Sequence, residues 1–359
     1  MNRSDSRPAN AGQEKLAQPL APANHRKEML VKDSILDIVI PTYNRSGQLR
    51  RAIESALAQT VGGFNLYVLD NQSTDDTPQV CAQYEDQGLT YIRNRSNLGM
   101  VGNWNRALTV GDASFLLILH DDDELAPAFV ETALPMLADA EGVAFVHSAA
   151  TIINAAGEAL FEKTMELPPE MPGDEFFTRF LKGKMRVNCP SVIYNRRVIS
   201  TNFRFQEGLP FTADLFFFIG ASEFGSVRYS DTPHYRYRVH NASTTASLVH
   251  AIDRKIADRF QASIYLQRQA DRRTVPEKLK VGAGKSYRMS ALAADVWFAR
   301  LLGGGYDDLF QVVRKTVSSE PALLRYPRFY TQLAKALLPS AILRGLFFVK
   351  RRMLKSART

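Results

Sequence analysis

Five apolar residues, Phe115 to Leu119, run directly into His120-Asp121-Asp122-Asp123-Glu124. No other segment of the chain limits its fold as strongly. A run that short and that apolar reads as a fully buried strand, of the kind found in parallel sheets covered on both faces. A buried strand that ends in carboxylates delivers them where open α/β sheets hold their ligands. Carboxylates packed so closely repel one another unless a cation or a proton neutralises them. Hard oxygen donors of this kind suit Mg²⁺ or Mn²⁺. A solvated acidic loop is the plain alternative, and this segment alone leaves it open.

The residues before that strand repeat the rhythm of an α/β sheet. Ile35 to Ile40 is a β-branched strand halted by Pro41, and Leu49, Ile53, Ala56 and Leu57 give 48–59 helical spacing. A second strand spans 64–69. Ser73 is placed to cap a helix running to about residue 87, with Asp76 in its first turn. A strand at 89–94 and a helix at 101–110 complete the series, which predicts a parallel sheet with helical crossovers. Further strands are expected at 143–148 and 191–194. From residue 251 the pattern turns helical, with Ile252, Ile256, Phe260 and Ile264 four apart, and helices follow at 286–302, 306–317 and 327–338.

Length allows one large α/β domain with an appendage, or two domains. Cys81 and Cys189 are the only cysteines, so no disulfide framework is expected and a reducing compartment fits. The N-terminal residues show no apolar h-region, and no secretory signal is expected. Net charge is +8, of which 1–34 contribute +2 and 341–359 contribute +6, leaving the body of the chain neutral. That distribution argues against a nucleic-acid partner. Residues 1–34, polar and without periodicity, read as a disordered tail. The C-terminal stretch Ala341 to Arg352 is apolar and then basic, too short to span a membrane. It suits an interfacial helix on anionic lipid or a core-packed helix with a solvated end, and the two readings stand level.

Three predicted strand ends carry polar clusters: Pro41-Thr42-Tyr43-Asn44-Arg45, Asp70-Asn71-Gln72-Ser73-Thr74-Asp75-Asp76-Thr77 and His120-Asp121-Asp122-Asp123. Each alone reads as a turn or a cap. Together, at successive strand ends, they point to one site. With Asn97, Gly99, Asn105, Asp214 and the Tyr237-Arg238-Val239-His240 segment, they resemble family 2 glycosyltransferases over roughly residues 35–245. These are inverting enzymes of the GT-A fold, Rossmann-like with a mostly parallel sheet and helices on both faces, that use nucleotide-sugar donors. The resemblance implies a catalytic domain at 35–245 and a helical C-terminal region at 246–359.

It also implies roles. Pro41, Thr42, Tyr43 and Arg45 would line the donor site, with the Tyr43 ring against the base. Asp70 or Asn71 would meet the base edge, and Asn97, Gly99 and Asn105 would lie near the donor. Trp104 stands where many members have Arg. Counting back from Pro127, the metal-holding Asp of the family's Asp-x-Asp falls on Asp122, which puts His120 at the first Asp position. Read without that alignment, Asp121 and Asp123 form the pair instead. Asp122 is the favoured ligand, Asp121 would contact ribose or metal, and Asp123 and Glu124 would cap the next helix. His120 fits better as a donor to ribose or a carboxylate than as a ligand. His240 would complete the metal site or touch the pyrophosphate alongside Arg238. Asp214, before Leu215 and Phe216 to Phe218, is the expected base, its carboxyl raised by aromatic surroundings, although Ala213 replaces the family's Glu.

Three readings follow. The first is a Mg²⁺- or Mn²⁺-dependent glycosyltransferase (hexosyltransferase) acting on a glycan or lipid-linked glycan in O-antigen, capsule or exopolysaccharide assembly. It would work in the cytoplasm or at the cytoplasmic face of the inner membrane. The second is an inactive nucleotide-sugar-binding scaffold. A nucleotidyltransferase ranks last, because no Gly-rich phosphate loop follows the first strand.

Overall fold

The computed structural model describes residues 35–185, 187, 191–239, 251–301 and 306–338. Its first half follows the predicted alternation. Strand β1 (Leu36–Thr42), helix α1 (Ser46–Leu57), β2 (Phe64–Asp70), α2 (Thr77–Ala82), β3 (Leu89–Arg93), α3 (Gly99–Ala107) and β4 (Phe115–Ile118) come in order. The site call on His240, the tails 1–34 and 341–359, and Cys189 lie outside the described residues.

Side chains alternate across β1 because successive Cβ atoms point to opposite faces. Leu36, Ile38 and Ile40 enter one core with Leu49 and Ile53 of α1, while Val39 enters the other with Val101 and Ala107 of α3. β4 divides in the same way, Leu117 to the first core and Leu116 and Ile118 to the second. Helices therefore cover both faces, as the double hydrophobicity of these strands demands.

The chain continues through β5 (Glu124–Leu125), α4 (Phe129–Leu137), β6 (Val143–Ile153), β7 (Ala159–Lys163), β8 (Glu170–Met171), α5 (Gly173–Leu181), β9 (Val192–Asn195), α6 (Ala213–Ala221) and β10 (Ser226–Arg238). These join one ten-stranded sheet in the order β3-β2-β1-β4-β9-β6-β10-β5, with β7 on β6 and β8 on β10. The β1–β2, β2–β3, β1–β4 and β6–β10 ladders are parallel and carry most of the register; the rest are antiparallel. This is the expected fold, a mixed and mostly parallel sheet between helices.

Helices α7 (Ile252–Arg272), α8 (Glu277–Lys280), α9 (Ala283–Leu301), α10 (Tyr306–Ser319) and α11 (Pro327–Leu337) form a layer with its own core around Leu292, Val296, Leu309 and Phe329. Helix α6 joins the two parts. Phe217 and Phe218 face the sheet core, whereas Phe216 and Ile219 pack on Ala262, Leu266 and Ala270 of α7. A helix apolar on all sides is one buried on all sides, which accounts for the phenylalanine run. Among the described residues no helix is long and apolar enough to cross a membrane. Cys81 is buried, and burial pushes its thiol up to about 12, which leaves it inert.

Candidate active site

The three polar strand ends meet at one edge of the sheet. Asn71 N–H donates to the Thr42 carbonyl at 2.9 Å, continuing the β1–β2 ladder past its end. The Asn44 N–H donates to Ser73 Oγ at 2.9 Å, and Ser46 N–H to Asp75 at 2.9 Å. Ser73 is thus not the cap of α2. It ties down the β1 turn, and α2 begins at Thr77, whose N–H and hydroxyl both donate to Asp75. Asn44 adopts φ +53°, a left-handed geometry that Asn tolerates, and the turn leaves Tyr43 44% exposed.

β4 delivers the acids to this edge. Thr42 Oγ1 donates to Asp121 at 2.8 Å, and one Arg45 nitrogen bridges Asp121 at 3.1 Å and Asp122 at 3.0 Å. Burial works against the Arg45 charge, but the two carboxylates outweigh it and hold the guanidinium protonated. Burial pushes Asp121 up to about 6 despite that partner. Asp123 is 1% exposed, and burial followed by the Asp122 charge raises its carboxyl well above the usual range.

Asp123 and Glu124 do not cap the next helix, which starts at Phe129. Asp123 instead accepts from the Tyr235 hydroxyl and, at 2.7 Å, from the Arg238 N–H. Glu124 opens β5 on β10 and pairs with Arg236 at 3.2 Å and with Arg238. The strand pairing draws both acids inward. Arg238 has a different place from the one expected. Its side chain is 3% exposed and donates to the Asp122, Asn154 and Ala155 carbonyls and to Glu124, so it braces the acidic loop from beneath.

The predicted base-edge residues also turn inward. Asp70 is fully buried, accepting from Ser73 N–H at 2.8 Å and the Tyr91 hydroxyl at 2.6 Å. Asn71 uses both donors, on Asn97 Oδ1 and the Gly99 carbonyl, and its oxygen accepts from Asn94 and Leu98. All four hydrogen-bonding positions of that amide are taken. Asp70 and Asn71 therefore shape the 94–99 loop. Asn97 and Gly99 stay exposed on that loop, with Gly99 at φ +72° and open space where a Cβ would sit. Asn105 exchanges two hydrogen bonds with the Phe205 backbone, at 3.0 and 2.8 Å, so it anchors that segment and is not turned to a donor.

Sequence reasoning missed the partner of Trp104. Its ring stacks on His120 at 5.2 Å and 11° between planes, and Phe205 lies tilted against it at 5.4 Å. Trp104 and His120, where the resemblance leads one to expect Arg and Asp, are thus in contact with each other. Burial pushes His120 down to about 4, so the imidazole is neutral, with Nδ1 3.8 Å from Asp123 and Nε2 buried without a hydrogen-bond partner. Ligand atoms of His120, Asp122 and Asp123 lie within 4.8 Å of one another. Asp123 is committed to β10, which leaves Asp122, 14% exposed, and His120 as the groups that fit a cation best. A neutral imidazole beside carboxylates suits Mn²⁺ at least as well as Mg²⁺.

Asp214 lies in the first turn of α6, part-buried, with Oδ1 accepting from the Leu215 N–H at 2.7 Å. Burial raises its carboxyl, as expected, against the pull of Arg259. Its charged neighbours are on α7; among the described residues no hydrogen bond joins it to the acidic loop.

Comparison with known proteins agrees with this geometry. Residues 37–202 match the family model described as Glycosyl transferase family 2. The chain is 22% identical over 213 residues to the putative glycosyltransferase EpsH of Bacillus subtilis, covering 58% of this chain and 62% of that one. It is 33% identical over 141 residues to the GalNAc(5)-diNAcBac-PP-undecaprenol beta-1,3-glucosyltransferase of Campylobacter jejuni, covering 38% and 42%. The chain thus spans less than two thirds of the length of these curated relatives. Among solved structures, S. aureus TarS 1–349 in complex with UDP aligns with a TM-score of 0.58 at 16% identity, over 86% of this chain and 91% of that one. That likeness speaks to the fold.

Proposed function

We propose, from the match of residues 37–202 to Glycosyl transferase family 2 and the likeness to EpsH, that the chain is a member of that family and moves a sugar, with inversion, from a nucleotide-sugar donor to a hydroxyl of a glycan or lipid-linked glycan. The observation that carries this reading is the strand-end cluster in which ligand atoms of His120, Asp122 and Asp123 lie within 4.8 Å of one another. Asp121 and Asp122 both pair with Arg45, while Arg236 and Arg238 pair with Glu124. Asp123 is held by a hydroxyl and a backbone N–H. A cluster of this kind suits a divalent cation, which can in turn hold a diphosphate.

Asp122 and His120 are the residues that would hold the cation. When bound, it neutralises negative charge on the departing nucleoside diphosphate. Tyr43 offers an exposed ring for the base to stack on. The 94–99 loop, pinned by Asn71, presents Asn97 and Gly99 beside it. Asp214, its carboxyl raised by burial, takes the acceptor hydroxyl's proton as that oxygen attacks the anomeric carbon. The stacked Trp104–His120 pair shields one side of the acidic loop from water. The undecaprenol-linked compound in the name of the Campylobacter relative supports a lipid-linked acceptor, which in turn suits a basic C-terminus in contact with anionic lipid.

The test is a thermal-shift panel of UDP-, dTDP- and GDP-sugars, each with and without Mn²⁺. One donor is expected to raise Tm by several degrees, and more with the cation, through mass action. No stabilisation by any nucleotide sugar would contradict the proposal.

A further inference from the structure

The start of α6, which carries Asp214, is held from outside the sheet. Thr212 is the N-cap residue of α6, yet its side chain makes no cap bond. It donates instead to Asp258 of α7 at 2.6 Å, and the Phe211 N–H donates to the other oxygen of the same carboxylate at 3.0 Å. Thr212 and Asp258 are each 2% exposed. A buried carboxylate supplied by another helix thus anchors the two residues that lead into α6.

Asp258 belongs to a closed set of charges. Lys255 Nζ lies 2.6 Å from Asp295, Arg259 Nε lies 3.3 Å from the same carboxylate, and Arg259 donates to the Tyr287 hydroxyl at 3.1 Å. Asp295 and Tyr287 come from α9. The charged groups acting on Asp214 are Arg259, which favours its ionised form, and Asp258, which opposes it. With Asp214 included, Lys255 and Arg259 face three carboxylates. The set is neutral when one of the three keeps its proton, and burial raises both Asp214 and Asp258. Charge neutrality in a low-dielectric setting favours that state.

We infer that Asp258 is a positioning residue for the transfer reaction, fixing Phe211 and Thr212 so that α6 presents Asp214 to the acceptor. The helical layer then takes part in catalysis and is more than an appendage. This rests on Asp214 being the base, and the experiment separates the two claims.

Release of nucleoside diphosphate is followed from the nucleotide sugar chosen by thermal shift, in a donor-only reaction and with a detergent extract of bacterial lipid-linked glycans as acceptor. Asp214→Asn comes first, and wild-type turnover in that variant would remove the base and with it the premise. Given loss of turnover there, Thr212→Val is expected to lower kcat about tenfold while the donor KM stays within about twofold, and Thr212→Ser is expected to restore it. Asp258→Asn removes one negative charge beside Asp214, so the acidic limb of the kcat/KM profile should move to lower pH. A merely structural anchor would lower Tm in Thr212→Val and leave kcat unchanged. Wild-type kcat in Thr212→Val, or an unmoved acidic limb in Asp258→Asn, would overturn the positioning role.

Discussion

Among the described residues, two clusters of carboxylates are built on opposite plans. At the sheet edge, Asp121, Asp122 and Asp123 follow one another on a strand end and share one guanidinium between two of them. In the helical layer, Asp258 and Asp295 sit among Lys255, Arg259 and Tyr287, brought together from two helices and nearly sealed from water. The first gives two of its carboxylates one shared cation, Arg45, and leaves Asp122 partly exposed. The second holds two cations, Lys255 and Arg259. Acids gathered at a partly exposed strand end are placed to take a ligand, whereas charge balanced in the interior fixes geometry.

That contrast is tested most severely at Asp214. Asp214→Asn should lower kcat by about 10²- to 10⁴-fold, the usual worth of a general base, while donor and cation binding measured by calorimetry stay unchanged. Weakened cation binding would tie Asp214 to the wrong cluster.

Arg238→Ala comes next. It leaves Glu124 with Arg236 alone and strips three carbonyls of their donor, so urea unfolding should show a loss of about 3–5 kcal/mol. A loss under about 1 kcal/mol would mean that the acidic loop does not depend on its buried brace.

His147 is a useful control, being buried with no charged partner. Its ring nitrogens make no hydrogen bond, and burial among Phe145, Phe176 and Tyr229 pushes it down to about 3. A histidine kept neutral in the fold binds its proton only when unfolded, so its stability contribution is intact above pH 6.5 and is lost as pH falls toward 3. At pH 4.5 this amounts to roughly 2–3 kcal/mol, and His147→Leu should lose that much less than wild type between pH 7 and pH 4.5. Equal acid sensitivity of the two proteins would show that the ring is protonated in the fold. Tyr43→Ala should have the mildest effect, weakening donor binding by about 1–2 kcal/mol with turnover at saturation preserved. An unchanged Kd would move the base elsewhere.

Much of this was legible in the sequence, and the parts that were not have physical reasons. β1, β2, β3 and β4 announce themselves by short apolar runs closed at polar strand ends, and their parallel order follows from the helices between them. β10 does not, because its 13 residues include Asp231 and Pro233 and its buried positions lack a steady alternation. That strand carries Tyr235 and Arg238, so the inward turn of Asp123 and Glu124 was hidden with it. Pro135 inside α4 conceals that helix in the same way. At the site, residue types at strand ends identified the place but could not say which way each side chain points. Asp70, Asn71 and Asn105 have the chemistry of ligand contacts, yet they spend it on the loops that frame the site. The Asp258 link joins residues 46 apart in sequence, and no local pattern marks it.

The central claim is that the strand-end loop is built to take a divalent cation through Asp122. Calorimetric titration of Mn²⁺ into the protein saturated with its nucleotide-sugar donor tests it directly. Wild type should bind one equivalent, and Asp122→Ala should bind at least about 100-fold more weakly while keeping its fold by circular dichroism. Equal Mn²⁺ affinity in the two proteins would contradict the account.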